Sequence, residues 1–277
     1  MNWANTLKKL LKLIVCIAGI YVFLYVNNNW LVTTELEYES EKIPQSFDGF
    51  RITQITDLHD ATFGENQSRL VEKVRATNPD AIFLTGDLVD SRRYDLDNSL
   101  QAVEQFVDIA DVYYVLGNHE VALNLTDEIY AALSDLGVHV LPNESVTFER
   151  DGERIVALGI EDPLMGQNVD ESIEAARNNV GTDSFTMLLS HRPEQFETYI
   201  EKEVDLVFTG HAHGGQIRLP FIGGLVAPTQ GIFPTYTAGV FEEKETTMII
   251  SRGLGNSLFP FRIFNLPEII TVKLQAK

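Results

Sequence analysis

The stretch that decides the fold is 209–216, Thr-Gly-His-Ala-His-Gly-Gly-Gln, which directly follows the largely apolar run 204–208. A run of this kind is typical of a buried strand, so His211 and His213 come just after a strand end. Side chains two positions apart in an extended segment leave on the same side. The flanking glycines let the backbone turn tightly and let another group come close. The pattern therefore predicts two imidazoles presented to one metal site.

Four earlier strand-like segments also end in polar residues that are typical metal ligands. They end near residues 56, 85, 116 and 189, and segments with helical periodicity lie between them. In α/β sheets the ligand crevice lies at the carboxyl ends of the strands, so these polar side chains are expected to converge on one rim. Together with the first stretch, they give seven predicted metal ligands: Asp57, His59, Asp87, Asn118, His191, His211 and His213.

The residue types of this set indicate which metal ions it suits. Three oxygen ligands and four imidazoles fit one or two borderline divalent ions such as manganese, iron or zinc. Calcium would need more oxygen ligands. We therefore expect a transition-metal or zinc centre at the rim.

Composition limits the partners and the number of domains. The chain has 277 residues, of which 40 are acidic and 21 basic, so its net charge is -19. Such a negative surface argues against nucleic acid as a partner. The residues after position 30 are enough for one large α/β domain. The only cysteine is Cys16, so an internal disulfide is excluded.

The N-terminal segment has the pattern of a membrane anchor. Residues 13–26 are uncharged and apolar, Lys8, Lys9 and Lys12 precede them, and several glutamates follow. The positive-inside rule then places the N-terminus in the cytoplasm and the rest of the chain on the extracytoplasmic side of the cell membrane. A cleaved signal peptide is the alternative. The predicted division is an anchor or signal at 1–30 and a catalytic domain at 31–277.

Five motifs occur in a characteristic order along the chain. They are Asp-x-His at 57–59, Gly-Asp-x-x-Asp at 86–90, Gly-Asn-His-Glu at 117–120, a histidine at 191 and Gly-His-x-His at 210–213. This order resembles the calcineurin-like metallophosphoesterase superfamily. With the run 251–256 and the anchor, the chain looks most like its membrane-associated bacterial branch. The resemblance implies a four-layer α/β/β/α sandwich, preceded here by one transmembrane helix.

The resemblance also implies two divalent metal ions bridged by Asp87 and a set of catalytic residues. One ion would be held by Asp57, His59, Asp87 and His213, and the other by Asp87, Asn118, His191 and His211. A hydroxide that bridges the ions would attack phosphorus in line. His119 resembles the histidine that protonates the leaving group, Asp90 the carboxylate that orients it, and Glu120 would support the ligands from behind.

One position departs from the protein serine/threonine phosphatases of this superfamily. Those enzymes carry an arginine after the second aspartate of Gly-Asp-x-x-Asp, where this chain has Ser91. The usual phosphate clamp is therefore not predicted. A phosphodiester, or a phosphorylated lipid or sugar-lipid, fits better with a membrane anchor. The expected partners are thus a phosphoester substrate, which can be lipid-linked, and the membrane.

Two other functions are compatible with parts of the pattern. A non-catalytic, membrane-anchored ectodomain could bind metal and act as a receptor or scaffold, although the presence of His119 and Asp90 argues against this. A dinuclear hydrolase of the metallo-β-lactamase type is a third possibility, but its His-x-His-x-Asp-His run is absent from the sequence.

Apolar residues cluster among prolines and glycines between positions 221 and 264. The cluster predicts either core and sheet-edge residues or an apolar groove facing a membrane. The sequence leaves both interpretations open.

Overall fold

A computed structural model describes residues 3–178, 180–181 and 184–277. Its first element is the helix α1 (Trp3–Asn29), which contains the predicted apolar segment; residues 1 and 2 of the predicted anchor lie outside the described residues. The part Asn5–Asn29 is long and apolar enough to cross a membrane, and nearly all of its most apolar stretch is exposed. The span suits a hydrocarbon layer about 30 Å thick, although a signal sequence meets the same criteria.

The remaining residues form short helices and strands that alternate for much of the chain. The helices are α2 (Ser68–Ala76), α3 (Leu96–Phe106), α4 (Asn118–Leu123), α5 (Thr126–Asp135), α6 (Val169–Ala176) and α7 (Phe196–Glu201). The strands are β1 (Val32–Ser40), β2 (Arg51–Ile55), β3 (Ala81–Thr85), β4 (Asp111–Val115), β5 (His139–Val140), β6 (Glu144–Arg150), β7 (Glu153–Gly159), β8 (Thr186–Leu189), β9 (Leu206–Thr209), β10 (Arg218–Leu219), β11 (Gly223–Gly224), β12 (Val226–Ala227), β13 (Gly231–Ile232), β14 (Gly239–Glu243), β15 (Thr246–Ile250) and β16 (Glu268–Ala276).

Two mixed six-stranded sheets carry the fold. The first has the order β1-β16-β2-β3-β4-β5 and the second the order β14-β15-β9-β8-β7-β6. Neighbouring strands are parallel from β2 to β5 in the first sheet and from β7 through β8 and β9 to β15 in the second. The carboxyl ends of each parallel group therefore meet at one edge of its sheet, where ligands collect in α/β proteins.

Burial along β3 shows how the layers are built. Ile82 and Leu84 pack with the helices on one face of the first sheet, whereas Ala81 and Phe83 pack against the second sheet. The ring of Phe83 lies 5.2 Å from that of Phe208 in β9. Helices α6 and α7 cover the outer face of the second sheet. The predicted four-layer α/β/β/α sandwich is confirmed. β3, whose residues are all buried, is covered on both faces.

Candidate metal centre

The seven predicted ligands lie on the rim where strand ends of both sheets meet. Each of them follows the strand predicted to carry it: β2, β3 and β4 in the first sheet, and β8 and β9 in the second. All are buried except Asn118, which is half-buried. The fold therefore brings together residues that lie up to 156 positions apart in the sequence, from Asp57 to His213.

One group that could hold a metal ion consists of Asp57, His59, Asp87 and His213, whose potential ligand atoms lie within 4.8 Å of one another. Nε2 of His59 lies 3.1 Å from Nε2 of His213 and 3.5 Å from Oδ2 of Asp87. Nε2 of His213 lies 3.4 Å from Oδ1 of Asp57. Two imidazole nitrogens that face each other at this distance can share a proton or ligate a common cation.

A second group consists of Asp87, His191 and His211. Nε2 of His191 lies 3.2 Å from Oδ2 of Asp87 and 3.2 Å from Nδ1 of His211. The His191 ring is oriented by the carbonyl of Thr85, which accepts from Nδ1 at 2.8 Å and leaves Nε2 for the site. Asp87 belongs to both groups, so one carboxylate lies between two potential metal positions.

Several buried polar atoms at the rim fit bound cations. Oδ1 of Asn118 has no hydrogen-bond partner among the described residues, and the same holds for Nδ1 of His59 and of His213. A buried acceptor without a partner is costly in a folded protein. Neutral imidazoles, carboxylates and an amide oxygen are donors that borderline divalent cations accept. The residues present therefore fit divalent metal binding.

Electrostatics at the rim favour positive charge. Burial lowers the pKa of His59 and of His213, so both imidazoles stay neutral, the form that binds a metal. Burial acts in the same direction on His191, but the adjacent Asp87 carboxylate outweighs it and raises the pKa of His191 to about 10. Burial would raise the pKa of Asp87, yet the surrounding imidazoles hold it well below its usual range. Asp87 is thus ionised where the two groups meet.

The backbone at the rim adopts an uncommon conformation. Five of the seven predicted ligands have positive φ values: Asp57 (52°), His59 (48°), Asp87 (51°), His211 (64°) and His213 (48°). Non-glycine residues rarely take this left-handed conformation, which costs on the order of 1–3 kcal/mol each and persists where the surroundings enforce it. A Cβ added to Gly86 (φ +87°) would lie only 2.7 Å from Nδ1 of His191. The strand ends are therefore turned inward at an energetic cost, as is typical of functional sites.

Glu120 fixes the two strand ends that carry Asp87 and Asn118. Its buried carboxylate accepts from the backbone N–H groups of Asp87 (3.0 Å), Val89 (3.1 Å) and Gly117 (2.8 Å). Burial raises the pKa of Glu120 to about 7. The sequence predicted that this residue supports the ligands from behind. The contacts show how it can do so: it binds backbone N–H groups of the two loops that carry Asp87 and Asn118.

Arg192 and Asp162 are rim residues that the sequence did not single out. Arg192 donates through Nη1 to Nε2 of His211 at 2.9 Å, and its other nitrogens contact the Asp162 carboxylate at 2.5 and 3.0 Å. Both side chains are buried. Arg192 directly follows the predicted ligand His191, and that adjacency is the signal that could have drawn attention to it.

His119 lies beside the predicted metal ligands. Its ring centroid is 4.5 Å from that of His59, and its Nδ1 accepts from the backbone N–H of Ser91 at 3.0 Å. Since an N–H group can only donate, the neutral ring carries its proton on Nε2, which lies 3.1 Å from Oγ of Ser257. Oδ1 of Asp90 is 4.0 Å from Nδ1, beyond hydrogen-bond distance, so the direct contact to His119 comes from Ser91.

A mixed sandwich with carboxylates and imidazoles on its strand-end rim defines the metal-dependent phosphoesterase class of fold and site. Comparison with known proteins agrees, since the family model for calcineurin-like phosphoesterases matches residues 50–215. The chain belongs to this family, and it is a phosphoesterase.

Relatives and solved structures extend the comparison beyond residue 215. An uncharacterized metallophosphoesterase, YkuE of Bacillus subtilis, is 29% identical over 259 residues, covering 91% of this chain and 88% of the relative. A Danio rerio transmembrane protein with a metallophosphoesterase domain is 27% identical and covers 87% of this chain, which spans only 56% of that relative. The structure of Haemophilus influenzae NAD nucleotidase superposes with a TM-score of 0.50 at 14% identity, over 74% of this chain and 45% of that one, and so shares the fold.

The contacts of Glu120 predict its contribution to metal binding. In Glu120→Gln the amide nitrogen cannot accept, so one of the backbone N–H groups behind Asp87 loses its partner. We expect metal affinity to fall about 10–100-fold, the usual effect of removing a group that supports metal ligands. Titration of the metal-depleted full chain with Mn²⁺ or Zn²⁺ measures this, with Glu104→Gln, an exposed α3 residue, as the matched control. Unchanged affinity in Glu120→Gln would contradict the role.

Proposed function

We propose that this protein is a dinuclear-metal phosphoester hydrolase that acts on phosphodiesters or on phosphorylated lipids or sugar-lipids. The observation that carries this proposal is the position of Asp87, whose carboxylate belongs to both groups of ligand atoms. A carboxylate shared by two sites can hold two cations close together and offset their repulsion.

The proposed ligands divide between the two ions. The first ion is held by Asp57, His59, Asp87 and His213, and the second by Asp87, Asn118, His191 and His211. Manganese, iron or zinc suits these donors. When bound, the ions supply Lewis-acid activation of water and of the phosphoryl group. Asn118 contributes an oxygen without adding negative charge, so the site stays electrophilic.

His119 is proposed to give its proton to the leaving-group oxygen. Its Nε2 is the nitrogen that carries the proton of the neutral ring, because Nδ1 accepts from Ser91. To act as the acid the ring must first be protonated on both nitrogens, and Oγ of Ser91, 3.1 Å from Nδ1, can accept the Nδ1–H. As the bond between phosphorus and the leaving oxygen breaks, that oxygen takes up the Nε2 proton of the imidazolium, which leaves a neutral ring. Ser257 lies 3.1 Å from this nitrogen, on the side where a substrate would enter.

Asp90 is proposed to act on His119 through the loop that carries Ser91. Its carboxylate accepts from the backbone N–H of Arg92 at 2.8 Å and from Nη2 of Arg93 at 2.5 Å. These contacts shape the turn whose Ser91 N–H meets His119. The Arg93 side chain is therefore paired with Asp90. Position 91 carries serine, so the arginine with which protein phosphatases bind the phosphate is absent there. This supports a substrate other than a phosphoprotein.

The proposed arrangement in the cell is an anchor at 1–30 and a catalytic domain at 31–277 on the extracytoplasmic side. α1 ends at Asn29 and β1 begins at Val32, on either side of this boundary. The lysines before the apolar segment support the orientation.

Removing the charge of Asp87 tests the shared carboxylate. Asp87→Asn should weaken both ion positions and abolish most turnover, because one anionic bridge serves two cations. Elemental analysis of the purified full chain should show loss of both metal equivalents, whereas His213→Ala should lose one. Asp108→Asn, an exposed residue, serves as the control. Wild-type metal content with wild-type turnover in Asp87→Asn would refute the bridging assignment.

Leaving-group dependence tests His119. His119→Ala should keep both metal ions but lower turnover by about 10²–10⁴-fold on alkyl esters, the usual range for general acid–base catalysis. The defect should be small on p-nitrophenyl esters, since a stable phenolate needs no proton. Asp90→Asn should show the same pattern more mildly. An equal defect on both ester types would assign His119 to charge stabilisation instead, and loss of one metal equivalent would make it a ligand.

Protease protection tests the proposed topology. Protease added outside intact cells should degrade the catalytic domain of the full chain, because the lysines at 8–12 keep the N-terminus inside. Replacing Lys8, Lys9 and Lys12 by glutamine should weaken this orientation and protect part of the population. Protection of the unmodified chain would reverse the topology, and a mature chain shortened by about 25–35 residues would identify a cleaved signal peptide.

A further inference from the structure

A cavity of about 400 Å³ opens beside the metal centre, and its walls are almost entirely apolar. The side chains that give it this character come from the hairpin segment around β12 and from the loop after β15: Ile217, Leu225, Val226, Ala227, Leu258 and Phe259. A phosphoryl group is strongly polar and gains nothing from such walls. The cavity therefore suits an apolar part of a substrate rather than its phosphate.

The cavity is continuous with the site where the phosphoester would react. His213, a proposed metal ligand, forms part of its wall, and Ser257 forms another. Oγ of Ser257 lies 3.1 Å from Nε2 of His119, the atom proposed to protonate the leaving group. A hydrocarbon chain attached to a bound phosphoester can thus enter the cavity directly.

An exposed apolar surface surrounds the mouth of the cavity, and we call it the apolar lip. Its members are Leu219, Phe221, Ile222, Val226, Ile232, Phe233, Leu258, Phe259, Phe261 and Phe264, all of which are exposed. Backbone N–H of Arg218 donates to the carbonyl of Ile263 at 3.0 Å, which joins the two segments of the lip. Large exposed apolar patches mark sites of membrane or protein contact. The residues between 221 and 264 that could have been core thus lie largely on the surface.

The membrane-crossing helix ends against this lip. Oδ1 of Asn28 accepts from Nδ2 of Asn256 at 2.7 Å, and Oδ1 of Asn27 accepts from the backbone N–H of Asn265 at 3.3 Å. The ring of Phe23 lies 5.1 Å from that of Phe264. Where α1 crosses a bilayer, the lip therefore lies at the surface of that bilayer.

The distribution of charge also supports the placement of the lip at the surface of the bilayer. The segments 206–241 and 246–267 contain no acidic residue, although the chain has 40. The lip is thus free of the acidic groups that would be repelled by anionic lipids, whereas the rest of the surface is strongly negative.

We infer that the apolar lip rests on the membrane and that the cavity holds the hydrocarbon chain of a membrane-resident phosphoester lipid whose phosphate reaches the metal centre. This inference rests on the proposed function and narrows its substrate class. The bilayer is the occupant favoured by the contact between α1 and the lip, since a protein partner or a second copy would not require that contact.

A homologous series of substrates tests the cavity. The full chain in detergent is assayed on p-nitrophenyl alkyl phosphodiesters with alkyl groups from methyl to octyl, which share one leaving group. Burial of each methylene should raise kcat/KM about three- to fourfold until the cavity is filled. Val226→Asp and Leu258→Asp place a charge in an exposed part of the wall, so both should reduce the octyl-to-methyl ratio at least about tenfold. Leu164→Asp, an exposed leucine outside the lip, should keep the wild-type ratio.

A membrane assay tests the lip. The full chain is reconstituted in phosphatidylcholine vesicles that contain p-nitrophenyl hexadecyl phosphate. Phe221→Glu combined with Phe233→Glu should lower hydrolysis of this embedded ester at least about tenfold relative to the soluble methyl ester, because the charges keep the lip off the bilayer. Leu164→Glu is the control for added charge.

The outcomes separate this inference from the proposed function. If no ester is hydrolysed with manganese, iron or zinc, the proposed function itself is refuted. Hydrolysis of the methyl ester with no dependence on chain length would leave the function standing and overturn the cavity assignment. Chain-length dependence that Val226→Asp and Leu258→Asp do not alter would overturn it equally. Unchanged hydrolysis of the embedded ester in the double variant would refute the membrane contact. Restoration of its hydrolysis by added Asp87→Asn chain, which has lost most turnover of its own, would refute it too and assign the lip to a contact between copies.

Discussion

The Asp87 carboxylate contacts imidazoles from both sheets, and the geometry of the whole rim depends on this contact. His59 reaches it from the first sheet and His191 from the second, at 3.5 and 3.2 Å. The two sheets can hold these positions because their facing surfaces interlock below the rim, where Phe83 meets Phe208. A buried carboxylate on a left-handed backbone is unfavourable in isolation. Neighbouring imidazoles and the backbone N–H of His119 offset that cost locally, and bound cations would add to the compensation.

Much of the candidate site could be predicted because each predicted ligand follows a strand. The apolar segment before Asp87 and the glycine-flanked pair His211 and His213 are local signals, and parallel strands bring such ends to one edge. The place of β16 in the first sheet is different, since it pairs with β1 and β2 from the far end of the chain. No local sequence pattern encodes that long-range pairing, and only the complete fold shows it.

Contacts between side chains were harder to predict than the positions of candidate residues at the strand ends. Arg192 and Asp162 lie 30 residues apart, and only the packed rim shows that they meet beside His211. Asp90 was expected to orient His119, whereas Nδ1 of that ring accepts from the backbone N–H of Ser91 and lies 4.0 Å from the Asp90 carboxylate. The segment 216–232 folds into two short hairpins. Its sequence shows neither the hydrophobic period of a strand nor that of a helix. Its role as a surface beside the cavity depends on contacts with 256–265.

The asparagines at the end of α1 have a kinetic consequence. Each of Asn27 and Asn28 donates its amide group to a carbonyl one turn earlier in the helix and turns its oxygen toward the loop beside the metal centre. Both ends of these side chains are hydrogen-bonded, which ties the end of the helix to the loop 256–265. In the proposed membrane setting, the metal centre then stays at a fixed height above the lipid headgroups. Encounter with a lipid substrate becomes a two-dimensional search by lateral diffusion, governed by the surface density of that lipid rather than by its bulk concentration.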